Sequence, residues 1–217
     1  MSFATSVSPV KHWHRLVALG MVLAPIAASG QGAAQTLPLT ARTKGSATAP
    51  VTVYEMADFQ CPVCGRFVSE IWPTIEKEYI VTGKVKWIYI MFPLTQIHAN
   101  AAAAAEFATC AALQGKFWPA HDMLYANQEN WSALKNPAPF FQSKIGALGL
   151  KSDAMTTCLT TGVGRAMVAD DASGSERSGA RGTPTFYVEG GLMDRLYPIE
   201  VFRKILDSIW VAKTKKS

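Results

Sequence analysis

Between Thr95 and Gly182 the chain carries no convincing strand, yet strand-like segments stand on both sides of that stretch. Before it, Val51 to Phe59 has the β-branched and apolar density of a buried strand, and Lys84 to Phe92 repeats that density up to Pro93. After it, Pro184-Thr185-Phe186-Tyr187-Val188 reads as a strand, and Gly190-Gly191 predicts a hairpin turn into Leu192-Met193. Inside it, His98 to Gln114 is alanine-rich and helical by propensity. Phe117 to Gln128, Pro137 to Leu148, Ser152 to Thr160 and Arg165 to Arg177 read as further helices separated by Gly, Pro and Asn. Phe67, Val68, Ile71, Trp72, Ile75 and Tyr79 share one face of a helix that runs from Pro62 to Gly83, and Pro73 should kink or divide it. Pro198 to Val211 closes the chain as an amphipathic helix. The order β–α–β, helical block, β–β–α predicts an α/β sheet interrupted by an inserted all-helical subdomain.

Residues 1–34 are set aside as a signal peptide and processing region. Lys11, His12, His14 and Arg15 precede the apolar run Leu16 to Ala24, Pro25 breaks it, and small residues follow through Ala28 and Ala34. A membrane anchor needs about 20 apolar residues, and this run is shorter, so cleavage and export without a stable membrane span are expected. Residues 35–49 read as a leader, 50–94 as the first half of the sheet unit, 95–182 as the helical insertion and 183–213 as the second half. Loss of Lys11 and Arg15 lowers the formal charge from +5 to +3. That small, dispersed balance argues against a nucleic-acid partner.

All four cysteines lie beyond the processing region, and an even number in an exported chain points to disulfide chemistry. Cys61-Pro62-Val63-Cys64 falls where a strand meets a helix. Pro62 suits the first helical position, which makes Cys61 an exposed N-cap thiol among unpaired amide N–H groups, with Cys64 one turn inside. Thiol–disulfide exchange needs that asymmetry, since one sulfur attacks and the other resolves the mixed disulfide. Zinc knuckles share the spacing, but no third or fourth ligand follows Cys64 at knuckle distance. His98 and His121 lack ligand spacing and read as helix-surface or packing residues, so no metal is assigned.

Glu55 stands six residues before Cys61 in an otherwise apolar strand. Buried beneath the thiols, it would be a proton acceptor for Cys64; at a strand edge it would simply face water. Thr183-Pro184 is either a strand boundary or a cis peptide that brings Thr183 backbone groups beside the thiols. Cys110 and Cys158 both fall in the helical block. The expectation is a structural disulfide worth about 4 kcal/mol in the chain-entropy model, against two buried free thiols or a second redox pair.

The Cys61–Cys64 motif, the upstream acid, the helical insertion and Gly182-Thr183-Pro184-Thr185-Phe186 before a Gly-Gly hairpin resemble the DsbA-like branch of the thioredoxin superfamily. Phe92-Pro93-Leu94 and Gln114-Gly115-Lys116-Phe117-Trp118 add to that resemblance, which covers Pro50 to Trp210. It implies a thioredoxin fold, with Cys61 attacking, Cys64 resolving, Pro184 as the cis-proline and Glu55 as the buried acid. It further implies a periplasmic or otherwise extracytoplasmic oxidoreductase that acts on exported polypeptides with free thiols, needs no dissociable cofactor and is re-oxidised by a quinone-coupled membrane partner. Val63 departs from the strong oxidants of that branch, which often carry histidine there, and a weaker oxidant is therefore expected. Thr183 also suits isomerase-like and reductase-like relatives, so those directions stand as alternatives, with a metal carrier or a redox-inert binding module behind them.

Overall fold

The structure, a computed structural model, describes Met1 and residues 36–215; apart from Met1, the expected signal region lies outside the described residues. One mixed sheet has the order β1-β3-β2-β4-β5. Its strands are β1 (Thr43–Lys44), β2 (Val51–Ala57), β3 (Val85–Met91), β4 (Thr185–Val188) and β5 (Gly191–Met193). β2 and β3 run parallel in unbroken register from Val51 opposite Val85 to Ala57 opposite Met91. A parallel pair requires a crossover, and the helical run from Pro62 to Ile80 supplies it. The chain that leaves the insertion returns to the centre of the sheet, where β4 pairs antiparallel with β2 and sets Phe186 opposite Glu55.

The crossover is divided, as Pro73 requires. α1 (Pro62–Arg66) passes into a π-turn over Phe67–Ile71, then α2 (Trp72–Ile75), then a second π-turn over Glu76–Ile80. The first π-turn ends just ahead of Pro73, with the Trp72 N–H bonded to the Phe67 carbonyl. Proline has no N–H for the next helical bond, and a widened turn accommodates the gap.

The insertion comprises α3 (Ala101–Ala112), α4 (Phe117–Ala126), α5 (Gln128–Ser132), α6 (Ala138–Lys144), α7 (Ser152–Thr161) and α8 (Val163–Arg177). Alanine-rich α3 is its axis: Ala101, Ala104, Ala108 and Ala111 are fully buried, and α4, α7 and α8 all pack on it. Cys110 of α3 and Cys158 of α7 are disulfide-bonded. Gly164 lets α8 cross that bridge, since a Cβ there would stand 2.9 Å from the Cys110 sulfur. The insertion core continues onto the sheet through Phe59, Tyr89 and Met91. The other core gathers Val53, Phe67, Trp72, Trp87 and Phe186 beneath α9 (Ile199–Thr214), which contributes Phe202 and Leu206. Trp118 packs against both cores and stacks on Trp72 at 5.7 Å.

Three local expectations need correction. The leader is part of the fold: Leu39–Arg42 forms a 3₁₀ turn, and β1 pairs antiparallel with β3. Arg42 is 3% exposed and makes a two-toothed ion pair with Asp171 of α8, whose carboxylate also accepts the Met91 N–H at 3.1 Å. The hairpin turns on Glu189-Gly190, both at positive φ (45° and 95°), one residue earlier than Gly190-Gly191, and Gly191 begins β5. Glu189 is held there by Lys213 at 2.6 Å and by the Thr52 N–H at 3.0 Å. Last, the helix expected over Phe117 to Gln128 breaks at Asn127, so Gln128 starts a new helix.

Candidate active site

β2 delivers the chain to the loop Asp58–Gln60, and Cys61 caps α1 in extended conformation (φ −66°, ψ 121°) with Pro62 at the first turn. The Cys61 carbonyl accepts the Gly65 N–H at 3.1 Å. Cys64 lies one turn inside and is fully buried. The Thr183–Pro184 peptide is cis, and the Cys61 thiol donates to the Thr183 carbonyl at 3.4 Å. Residues 61, 64, 183 and 184, far apart in sequence, therefore meet at the C-terminal end of β2, where antiparallel β4 begins. Both thiols are free.

Cys61 is less open than an N-cap suggests. It was expected to be exposed, and it retains only 5% of its surface. The cause is the cis-proline loop on one side and α5 on the other, neither visible from the motif itself.

The two sulfurs are driven apart electrostatically. Cys61 is lowered to about 5, mainly because the Cys64 thiol donates to its thiolate; the Thr183 hydroxyl and the Cys64 and Val63 amides add to this against the cost of burial. Cys64 is pushed well above an ordinary thiol by burial first, then by the hydrogen bond and charge of Cys61. One sulfur is thus an anion at neutral pH and its neighbour a neutral donor.

Glu55 is 1% exposed, so it faces the interior and not water. Its Oε2 accepts the Trp87 indole N–H at 2.7 Å, while its Oε1 is buried without a partner among the described residues. Burial raises it to about 8 against the smaller, opposing effect of that indole bond. Tyr89 sits beside it in register on β3. The Tyr89 hydroxyl meets that of Tyr125 at 2.9 Å, and Tyr125 donates to the Asp58 carbonyl at 3.3 Å.

Side chains that no motif announced hold the loop. The buried Asp58 carboxylate accepts the Gln60 N–H at 2.7 Å, the Leu94 N–H at 2.9 Å and the His98 Nδ1–H at 2.6 Å. Gln60 joins two insertion segments, accepting the Asn100 N–H at 2.6 Å and donating to the Ser132 carbonyl at 2.8 Å. Gln128 donates to the carbonyls of Phe59 and Cys61. An acid ending an apolar strand is a readable signal for Asp58; nothing local marks Gln128 or Trp87. His121 is buried among Phe59, Tyr89, Trp118 and Tyr125 as a packing residue. Among the described residues no group of three or more His, Cys, Asp or Glu is placed to hold a metal ion.

Sheet order, insertion and thiol site together define a thioredoxin-fold protein with paired cysteines at the start of its crossover helix. A family model described as Thioredoxin matches residues 39–208, and the chain belongs to that family, in its DsbA-like branch. The chain is 30% identical over 160 residues to a probable disulfide bond formation protein D of Bacillus anthracis, covering 70% of this chain and 71% of that protein. It is 36% identical over 157 residues to the Na(+)/H(+) antiporter NhaA 3 of Salinispora tropica, covering 72% of this chain but 23% of the antiporter. The chain therefore spans about a quarter of the length of the antiporter relatives it matches. Among solved structures, oxidised BdbD from Bacillus subtilis superposes with a TM-score of 0.71 at 21% identity, covering 82% of this chain and 97% of that one. Wolbachia pipientis alpha-DsbA1 gives 0.70 at 21% identity, covering 81% and 93%. These superpositions establish the thioredoxin fold with its helical insertion.

Proposed function

We propose that this protein is a thiol–disulfide oxidoreductase that introduces disulfides into other polypeptides through Cys61 and Cys64. The opposed acidity of the two thiols carries the reading: an ionised sulfur faces the Thr183 carbonyl while a neutral, buried one waits a turn below. In the oxidised protein a substrate thiolate attacks the Cys61 sulfur, and the Cys61–Cys64 bond breaks. Cys64 leaves as thiolate and takes a proton, for which Glu55, largely protonated at neutral pH, is the donor. A second substrate thiolate then attacks the substrate sulfur of the mixed disulfide and releases Cys61 as a thiolate. The substrate loses two electrons and the protein gains them. A stabilised Cys61 thiolate favours the reduced form, which supports the oxidase direction over reduction or isomerisation. The donors responsible come from Cys64, Thr183 and the helix amides, that of Val63 included, so the Val63 side chain need not supply one.

The setting follows from the same chemistry. Residues 1–34 carry the pattern of a cleaved signal, and the bonded Cys110–Cys158 pair suits an oxidising, extracytoplasmic compartment. The processed chain keeps the halves 50–94 and 183–213 around the insertion 95–182. Free-thiol exported polypeptides are its substrates, and a quinone-coupled membrane partner restores its disulfide. The name of the Bacillus anthracis relative, a disulfide bond formation protein, supports this reading.

The test is oxidation of a reduced two-cysteine peptide by stoichiometric protein. Oxidised wild type should consume both peptide thiols and Cys61→Ser neither, and reduced Cys64→Ser, offered the peptide in its disulfide form, should trap a mixed disulfide through attack of Cys61 on it. Mixed disulfide trapped instead on Cys64 in Cys61→Ser would reverse the roles, and no oxidation by wild type would end the proposal.

A further inference from the structure

Gln128 opens α5 at the edge of the insertion, and its amide reaches the loop that presents the thiols. Its Nε2 donates to the Phe59 carbonyl at 2.7 Å and to the Cys61 carbonyl at 3.0 Å. Those carbonyls belong to the peptide unit just before Gln60 and the one just after Cys61. A single amide therefore grips both ends of the Gln60-Cys61 segment. Phe59 is 1% exposed, so water has little room to replace a lost donor there.

Gly65 faces Gln128 from the crossover helix. A Cβ on Gly65 would stand 2.5 Å from the Gln128 Oε1 and 3.2 Å from its Cδ. Glycine is a poorer helix residue than alanine, and the φ of Gly65 is not among the positive ones. What the position demands is space. Meanwhile the thiolate of Cys61 depends on alignment with the amides of Val63 and Cys64, immediately beyond the carbonyl that Gln128 holds.

We propose that Gln128 is a positioning residue for the exchange reaction: it fixes the peptide units flanking Gln60-Cys61 so that the Cys61 sulfur stays aligned with its donors, and residue 65 is glycine to admit it. The inference rests on Cys61 being the attacking thiol. It makes the insertion part of the redox machinery as well as a cover, because the clamp comes from α5.

Ultraviolet thiolate absorbance against pH, with glutathione equilibration in parallel, tests it on the reduced protein. Gln128→Met keeps length and bulk but donates nothing. It should weaken the acidity of Cys61 roughly tenfold and shift the dithiol–disulfide equilibrium at neutral pH toward the disulfide by a similar factor. Gln128→Glu, whose carboxylate repels both carbonyls and the thiolate, should weaken that acidity further. Gly65→Ala should reproduce the loss by pushing the amide away, yet add less than about twofold in a Gln128→Ala background. Removing the donor and displacing it are separate routes, so a variant that fails to fold on one leaves the other decisive. Acidity within about twofold of wild type in Gln128→Met, or an equal cost of Gly65→Ala in both backgrounds, overturns the inference. Failure of wild type to oxidise the peptide would sink the exchange reading itself, which the ionisation measurements do not address.

Discussion

Replacing Glu55 by glutamine should flatten one part of the pH dependence of stability. The carboxyl has an ordinary value of 4.5 and is raised to about 8 by burial in the fold. Below pH 4.5 both folded and unfolded chains hold it neutral, and it costs the fold nothing. As pH rises through the window the unfolded chain ionises freely while the folded one does not, so stability is lost until the folded group ionises too, near 8. Each pH unit in that window is worth about 1.4 kcal/mol, giving about 3 kcal/mol by pH 7 and about 5 kcal/mol across the whole window. Glutamine keeps an oxygen for the Trp87 N–H, and its amide N–H₂, set where Oε1 lacks a partner, adds an offset independent of pH. The measurement is urea unfolding of the reduced wild type and variant at a series of pH values from 4 to about 8.5. Taking the difference cancels the opposite-signed ionisation of Cys61. The variant should gain on wild type steadily as pH rises and then level off. Parallel curves would mean that Glu55 ionises normally in the fold, and its role as proton donor to Cys64 would fall with that result.

Alkylation of the reduced protein by iodoacetamide should follow a titration with a midpoint about 5, report Cys61 alone, and slow with bulkier reagents because only 5% of the residue is open. A midpoint near the ordinary thiol value of about 8.5 would contradict the proposed thiolate. Changing Cys110 and Cys158 together to alanine should lower stability by about 4 kcal/mol, seen as a lower urea midpoint, while Cys61 acidity is retained; an unchanged midpoint would remove the staple role. Arg42→Met should cost about 3–5 kcal/mol by leaving the Asp171 charge buried without its cation, and Asp171→Asn in the same chain, which keeps an acceptor for the Met91 N–H, should recover most of it. If the second change recovers nothing, the pair is not what ties the leader to α8.

Much of the architecture was legible because it rests on short-range relations. Val51 to Ala57 and Val85 to Met91 announce buried strands by composition alone. The alanine run of α3 announces a helix, and Pro62 marks where the crossover begins. Glu55 was readable as an anomaly, a charge in an apolar strand, although its indole partner was not. β1 was missed because two residues carry too little pattern to separate an edge strand from a lead-in. The hairpin shifted by one residue because Glu189 occupies a backbone region that glycine normally takes, stabilised there by Lys213 and Thr52. Asp58 and Gln128 act on the thiol loop through contacts whose partners lie 36 to 69 residues away, beyond the reach of periodicity.

Local order along the chain was enough to decide that a sheet would be split by helices, that a thiol would cap the crossover helix, and that an acid would sit in the strand before it. Neighbours within one turn or one strand generate those features, so the linear text contains them. How covered that thiol is, which groups share its charge, and which distant amide steadies its loop were decided only when the cis-proline loop before β4 and α5 closed around it. Those are distances between segments that the chain brings together in space alone, and burial, which sets each group's acidity, exists only in the assembled fold.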